Sequence, residues 1–107
     1  MISRHASARI LRLLKGFPVV TVTGPRQSGK TTLVRELLAH KPYVSLEAPE
    51  QREFARTRSA EFLRQYPQGA VIDEAQHAPE LFSQMQGVVD NAKQMGMFVL
   101  TGSQNLS

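Results

Sequence analysis

The sequence predicts an α/β fold built on a mainly parallel sheet with helices on both faces. Four short apolar runs, at residues 19–23, 43–46, 70–72 and 97–101, are separated by stretches of helical periodicity. The first run leads through a glycine-containing loop directly into a helix, and strands alternating with helices are the mark of parallel pairing. With 107 residues the chain has material for one core and not for two.

The elements follow in order. In residues 1–17, Ile10, Leu11, Leu13, Leu14 and Phe17 fall on one helical face, with Arg9, Arg12 and Lys15 interleaved and Gly16 and Pro18 as a stop. This predicts a basic amphipathic helix capping the domain. The same segment, Arg-rich and without an acid, superficially matches an organelle transit peptide, but the helical pattern fits it better. Residues 19–23, between Pro18 and Gly24, read as a first strand buried on both faces. From Lys30, Leu33, Val34, Leu37 and Leu38 recur at helical spacing until Pro42 ends the pattern. Residues 43–46 form a short second strand.

Residues 49–65 carry few apolar anchors, Phe54, Phe62 and Leu63. The pairs Glu53 with Arg56, Arg58 with Glu61, and Glu61 with Arg64 are spaced as on solvated helices. A peripheral pair of helices is expected there. Ala70, Val71 and Ile72 make a third strand that ends in Asp73 and Glu74. Residues 79–95 read as a helix with the stripe Leu81, Phe82, Met85, Val88, Val89 and Ala92, despite Gly87. Residues 97–101 then form a fourth strand. In such a sheet, ligands bind at the carboxyl ends of the strands.

Thirteen Lys and Arg against nine Asp and Glu give a net charge of +4, unevenly spread: residues 1–41 hold eight bases and one acid, the rest five bases and eight acids. The absence of cysteine removes disulfides, a thiolate nucleophile and cysteine-type zinc sites, and is compatible with a reducing cytosol, so a cytoplasmic location is expected. No window approaches the roughly 18 to 20 apolar residues of a membrane helix. His5, His40 and His77 lack metal-ligand spacing and read as surface residues. The basic amino-terminal half leaves nucleic acid open as a partner, but no stacking aromatics interleave with its bases to support it.

The chemistry concentrates in two places. Gly24, Pro25, Arg26, Gln27, Ser28, Gly29, Lys30 and Thr31 fill every fixed position of the phosphate-binding loop pattern G-x-x-x-x-G-K-[ST], and Thr32 follows them into the helix. Gly29 permits close backbone approach, and the helix start offers N–H groups and a favourable dipole end. Lys30 supplies a mobile charge for the β- and γ-phosphates, and the Thr31 hydroxyl is placed to ligate Mg²⁺. The second place is the end of the third strand. Asp73 is suited to hold a magnesium-bound water and Glu74 to activate the water that attacks the γ-phosphate. Side chains adjacent on a strand point to opposite faces, so the two acids take different roles. After the fourth strand, Thr101, Gly102, Ser103, Gln104 and Asn105 bring polar groups to the same edge, where Ser103, Gln104 or Asn105 is a candidate for touching the γ-phosphate or that water; an ordinary polar turn is the competing reading.

The pieces VTGPRQSGKTTL, VIDEAQHAPEL and FVLTGSQ, in this order and spacing, resemble the prokaryotic AAA-type P-loop ATPases whose core is typically followed by a C-terminal domain of uncharacterised function. The resemblance covers nearly the whole chain. It implies a three-layer α/β/α P-loop NTPase fold, with residues 24–31 as Walker A, Asp73 and Glu74 as Walker B, and the region of Ser103 and Gln104 as sensor 1. It also implies ATP and Mg²⁺ as ligands, and self-association or a C-terminal effector domain as partner. A further strand beside the first, an arginine finger and a sensor 2 region have no counterpart in these residues. An incomplete sheet of about four strands is therefore expected, in an N-terminal fragment divided into the helix of residues 1–17 and a nucleotide-binding core of residues 18–107. Arg26, Arg56 and Arg58 remain candidates for a finger acting in trans. The string Asp73-Glu74-Ala75-Gln76-His77 invites a helicase reading, but the 43 residues from Lys30 to Asp73 are too few for one. Three functions stay open: a hydrolysing ATPase, a nucleotide-binding module or remnant that does not hydrolyse, and a P-loop kinase.

Overall fold

Val19–Gly24 forms β1, in which β-branched side chains favour an extended backbone. The computed structural model describes residues 4–24 and 29–103. Helix α1, Arg4–Gly16, precedes β1, and α2, Lys30–Leu37, follows it. The remaining elements are β2 (Tyr43–Ser45), α3 (Pro49–Thr57), α4 (Ser59–Arg64), β3 (Ala70–Asp73), a single 3-10 turn (Ala75–His77), α5 (Leu81–Ala92) and β4 (Phe98–Ser103). The four strands make one parallel sheet in the order β1-β4-β3-β2, flanked by helices, as the alternation of elements predicts.

Strand alternation divides the core into two layers. On one face Val44, Ala70, Ile72, Phe98 and Leu100 pack with residues of α3, α4 and α5. On the other, Val71 and Val99 meet Ile10 of α1 and Val34 of α2, with Leu38 just beyond that helix. The chain leaves β1, crosses to the far edge through α2 and returns, so β4 lies between the strand that precedes the loop and the strand that carries the acids. Register then fixes neighbours: Gly24 lies beside Ser103, and Ser45 beside Asp73.

Four expectations change. β1 is a sheet edge, with Thr21 and Thr23 exposed, instead of a strand buried on both faces, because among the described residues only β4 pairs with it. Leu11 and Phe17 of the amino-terminal apolar stripe, and Phe82 of the α5 stripe, are exposed; the stripes they belong to are wider than the surfaces that cover them. The helix expected over residues 79–95 spans Leu81–Ala92, because Lys93 adopts a left-handed conformation (φ 52°) and ends it. The pair α3 and α4 is not peripheral. Phe62 and Leu63 are fully buried, and Phe62 meets the rings of Phe54 and Tyr66 edge-on at 5.5 and 5.6 Å. The pairing of Arg58 with Glu61 is present, whereas Arg56 reaches across to Glu80 instead of Glu53.

Candidate functional site

The loop from β1 to α2 ends at Gly29, which holds φ +84° and precedes the first turn of α2. Only glycine takes this conformation without strain. Among the described residues no side chain caps the helix, and its first-turn N–H groups face the position where an acceptor would satisfy them. Lys30 begins the helix and is only 5% exposed. Among the described residues no hydrogen bond or ion pair engages its ammonium. A buried, unpaired cation is costly, and an anion at the helix start would relieve that cost.

Asp73 closes β3 and is itself buried. Its Oδ1 accepts from the Thr31 hydroxyl at 3.2 Å and from the Thr101 hydroxyl at 2.5 Å. Its Oδ2 accepts from the Tyr43 hydroxyl at 2.9 Å and, more weakly, from that of Ser45 at 3.5 Å. The sheet geometry explains the convergence. Tyr43, Ser45, Asp73 and Thr101 all occupy positions whose side chains face α2, because each lies an even number of residues from Val71, Val99 or its registered partner. Burial and the bond to Asp73 push the Tyr43 phenol up to about 12, so it remains a donor through the neutral range. The Arg35 guanidinium lies over the Tyr43 ring, 4.1 Å from its centre.

A carboxylate beside a threonine hydroxyl is a hard oxygen donor pair of the kind that holds Mg²⁺ together with waters and phosphate oxygens. Among the described residues no group of three or more His, Cys, Asp or Glu could hold a metal ion.

Glu74 follows the strand in a left-handed backbone conformation, φ 55° and ψ 48°, and is 5% exposed. That conformation is uncommon outside glycine and turns the chain away from the sheet. Its Oε1 accepts from Gln76 Nε2 at 2.6 Å and from the Ser103 hydroxyl at 3.1 Å. Asp73 and Glu74 thus have separate partners.

Of the residues singled out from sequence, Gly24, Gly29, Lys30, Thr31, Asp73, Glu74 and Ser103 gather at the carboxyl edge of the sheet, and Thr32 sits exposed in the first turn of α2. Pro25, Arg26, Gln27, Ser28, Gln104 and Asn105 lie outside the described residues. Arg56 and Arg58 are both engaged in exposed ion pairs, with Glu80 and Glu61. The sequence reading did not single out Tyr43, Ser45 or Gln76. Tyr43 and Ser45 are brought in by register alone, whereas Gln76 stands two residues from Glu74 and carried a local signal.

Two cavities border the site. One, of about 490 Å³, lies between α2 and β2 and is lined by Thr31, Thr32, Arg35, Lys41 and Tyr43 among others. The other, of about 310 Å³, is lined by Thr21, Gln76, Phe82, Leu100 and Thr101 among others. Among the described residues no helix is long and apolar enough to cross a membrane.

An uncharacterised protein of Mycobacterium tuberculosis and one of Mycobacterium bovis are each 37% identical to this chain over 101 residues, which is 94% of the chain. The chain spans 23% of the length of either relative. Residues 16–107 match the AAA domain family, and the chain belongs to that family of nucleotide-binding ATPases.

Proposed function

We propose that the chain binds Mg-ATP at the edge formed by β1, β3 and β4 and hydrolyses it, coupling the reaction to a conformational change in a further region of a longer protein. The observation that carries this reading is Lys30: a buried ammonium with no partner among the described residues, at a helix start next to the Thr31–Asp73 pair. In this reading residues 24–32 hold the phosphates, with Lys30 against the β- and γ-phosphates. Thr31 and Asp73 hold Mg²⁺, Asp73 partly through water. The bound ion would neutralise charge developing on the phosphate oxygens. Glu74 accepts the proton of the attacking water, and Ser103, with Gln104, contacts that water or the γ-phosphate. The two donors on Glu74 keep its side chain in place, while the separate donors on Asp73 hold the cation-binding carboxylate. The effector region, self-association and a cytoplasmic location belong to the same proposal.

Equilibrium titration of a fluorescent nucleotide with Mg²⁺ tests it. Saturable, Mg²⁺-dependent binding is expected, lost in Lys30→Ala. Glu74→Gln is expected to keep nucleotide and lose turnover; undiminished turnover overturns its assignment. An arginine supplied in trans raises such rates by about three to five orders of magnitude, so single-turnover conditions suit the isolated chain. A second reading, phosphoryl transfer to a small acceptor, draws support from the 490 Å³ cavity beside Thr31. A phosphorylated product in place of free phosphate would favour it. Nucleotide binding without turnover under any condition would leave the chain as a binding module.

A further inference from the structure

Among the described residues, both hydrogen bonds to the Glu74 carboxylate end on one oxygen. Oε1 accepts from Gln76 and from Ser103, while among the described residues no donor reaches Oε2. At 2.6 Å from a carboxylate the Gln76 amide presents its NH₂ end, since its oxygen there would be repelled. The Gln76 carbonyl oxygen is then buried, with no partner among the described residues. A glutamine serving only to fill space would not leave a buried polar atom unmatched, because that costs free energy. The unmatched atom is the consequence of aiming the other end of the amide at Glu74 in a short, charge-assisted bond.

The backbone points the same way. Glu74 sits in a strained left-handed conformation at the start of the 3-10 turn, and Gln76 lies within that turn, so the bond closes the turn that the strained residue opens. Ser103 approaches from the end of β4 on the other strand. Three constraints, the backbone and two side-chain donors, therefore act on one carboxylate, and among the described residues none of them engages its Oε2.

We propose that Gln76 is a positioning residue that anchors Oε1 of Glu74 and so assigns Oε2 as the oxygen that takes the proton from water. This inference rests on the reading of Glu74 as the general base. In the step concerned, an O–H bond of water breaks and its proton passes to Oε2. The water oxygen bonds to the γ-phosphorus, and the bond from that phosphorus to the β-phosphate oxygen breaks with its electron pair on the departing ADP. Gln76 touches neither water nor phosphate and acts through Glu74 alone.

The test compares the full chain with Gln76→Met, which keeps side-chain length and removes the donor, and with Glu74→Gln. Single-turnover phosphate release and equilibrium nucleotide affinity are measured with Mg-ATP. Gln76→Met is expected to slow release about tenfold, a fraction of the whole contribution of a general base, with nucleotide affinity unchanged. Unchanged or faster release in Gln76→Met, with Glu74→Gln inactive, overturns the role of Gln76 and leaves Glu74 as base. An equal loss of affinity and rate also overturns it, since that marks a structural role. Undiminished release in Glu74→Gln overturns the base assignment itself and the positioning role with it. Should Gln76→Met fail to fold, Gln76→Asn, polar but too short to hold the bond, carries the same expectation.

Discussion

The Thr101 hydroxyl donates to Oδ1 of Asp73 at 2.5 Å across the adjacent strands β4 and β3, with both residues buried. A hydrogen bond to a charged, buried acceptor is worth more than a neutral one, about 1.5–3 kcal/mol. Thr101→Val keeps the volume and removes the donor. It is expected to lower unfolding free energy by about 1–3 kcal/mol in urea titrations of the nucleotide-free chain.

Lys30 leads to the opposite sign. Replacing its buried ammonium by an apolar chain of similar length removes a desolvation cost that nothing among the described residues offsets. Lys30→Met is expected to raise the stability of the nucleotide-free chain by about 1 kcal/mol while abolishing nucleotide binding, a trade between stability and function. Urea midpoints and nucleotide titrations on the same samples check both halves, and a lowered midpoint contradicts the prediction.

Two glycines separate strain from crowding. Gly69 has φ +93°, and a Cβ there would lie 1.8 Å from the Met97 carbonyl oxygen, which is backbone and cannot swing aside. Gly29 has φ +84°, and among the described residues nothing lies within 4 Å of an added Cβ. Gly69→Ala is expected to cost more than about 3 kcal/mol, a large share of a small domain's stability. Gly29→Ala should cost about 1–2 kcal/mol, the left-handed penalty alone, and weaken nucleotide binding. Thermal melts and nucleotide titrations distinguish the two.

Tyr43 gives an alkaline signature. Its phenol is raised from 10.0 to about 12 in the folded chain, first by burial and then by its bond to Asp73. The folded state therefore holds this proton more tightly than the unfolded one. Its contribution is complete below pH 10 and is lost as pH rises towards 12. Tyr43→Phe should remove this part of the alkaline loss, so the stability difference between wild type and variant narrows from pH 10 to pH 12.

The loop and the acid pair were legible in the sequence because each is local: a fixed glycine-lysine spacing in one case, and an apolar run ending in acids in the other. The hydroxyl partners of Asp73 were not, since they stand 28 to 42 residues away from it and meet it only through parallel register. Gln76 was within reach of a local reading, but its contact depends on Glu74 leaving the strand in a left-handed turn, which no residue type announces. Burial was overestimated at β1 because a β-branched run signals extended backbone without revealing how many strands border it. It was underestimated at α4, where Phe62 and Leu63 place two large side chains in the core from an otherwise charged segment.

The four hydroxyls around Asp73 come from α2, β2 and β4 and close on a carboxylate in β3. A slip of any strand by one residue would turn its hydroxyl to the opposite face and leave a buried acid short of donors. Misassembled sheets would thus be penalised at the point where the cation is to be held. The carboxylate serves as a proofreader of folding, so that a chain competent to bind is also one whose strands have assembled in the correct alignment.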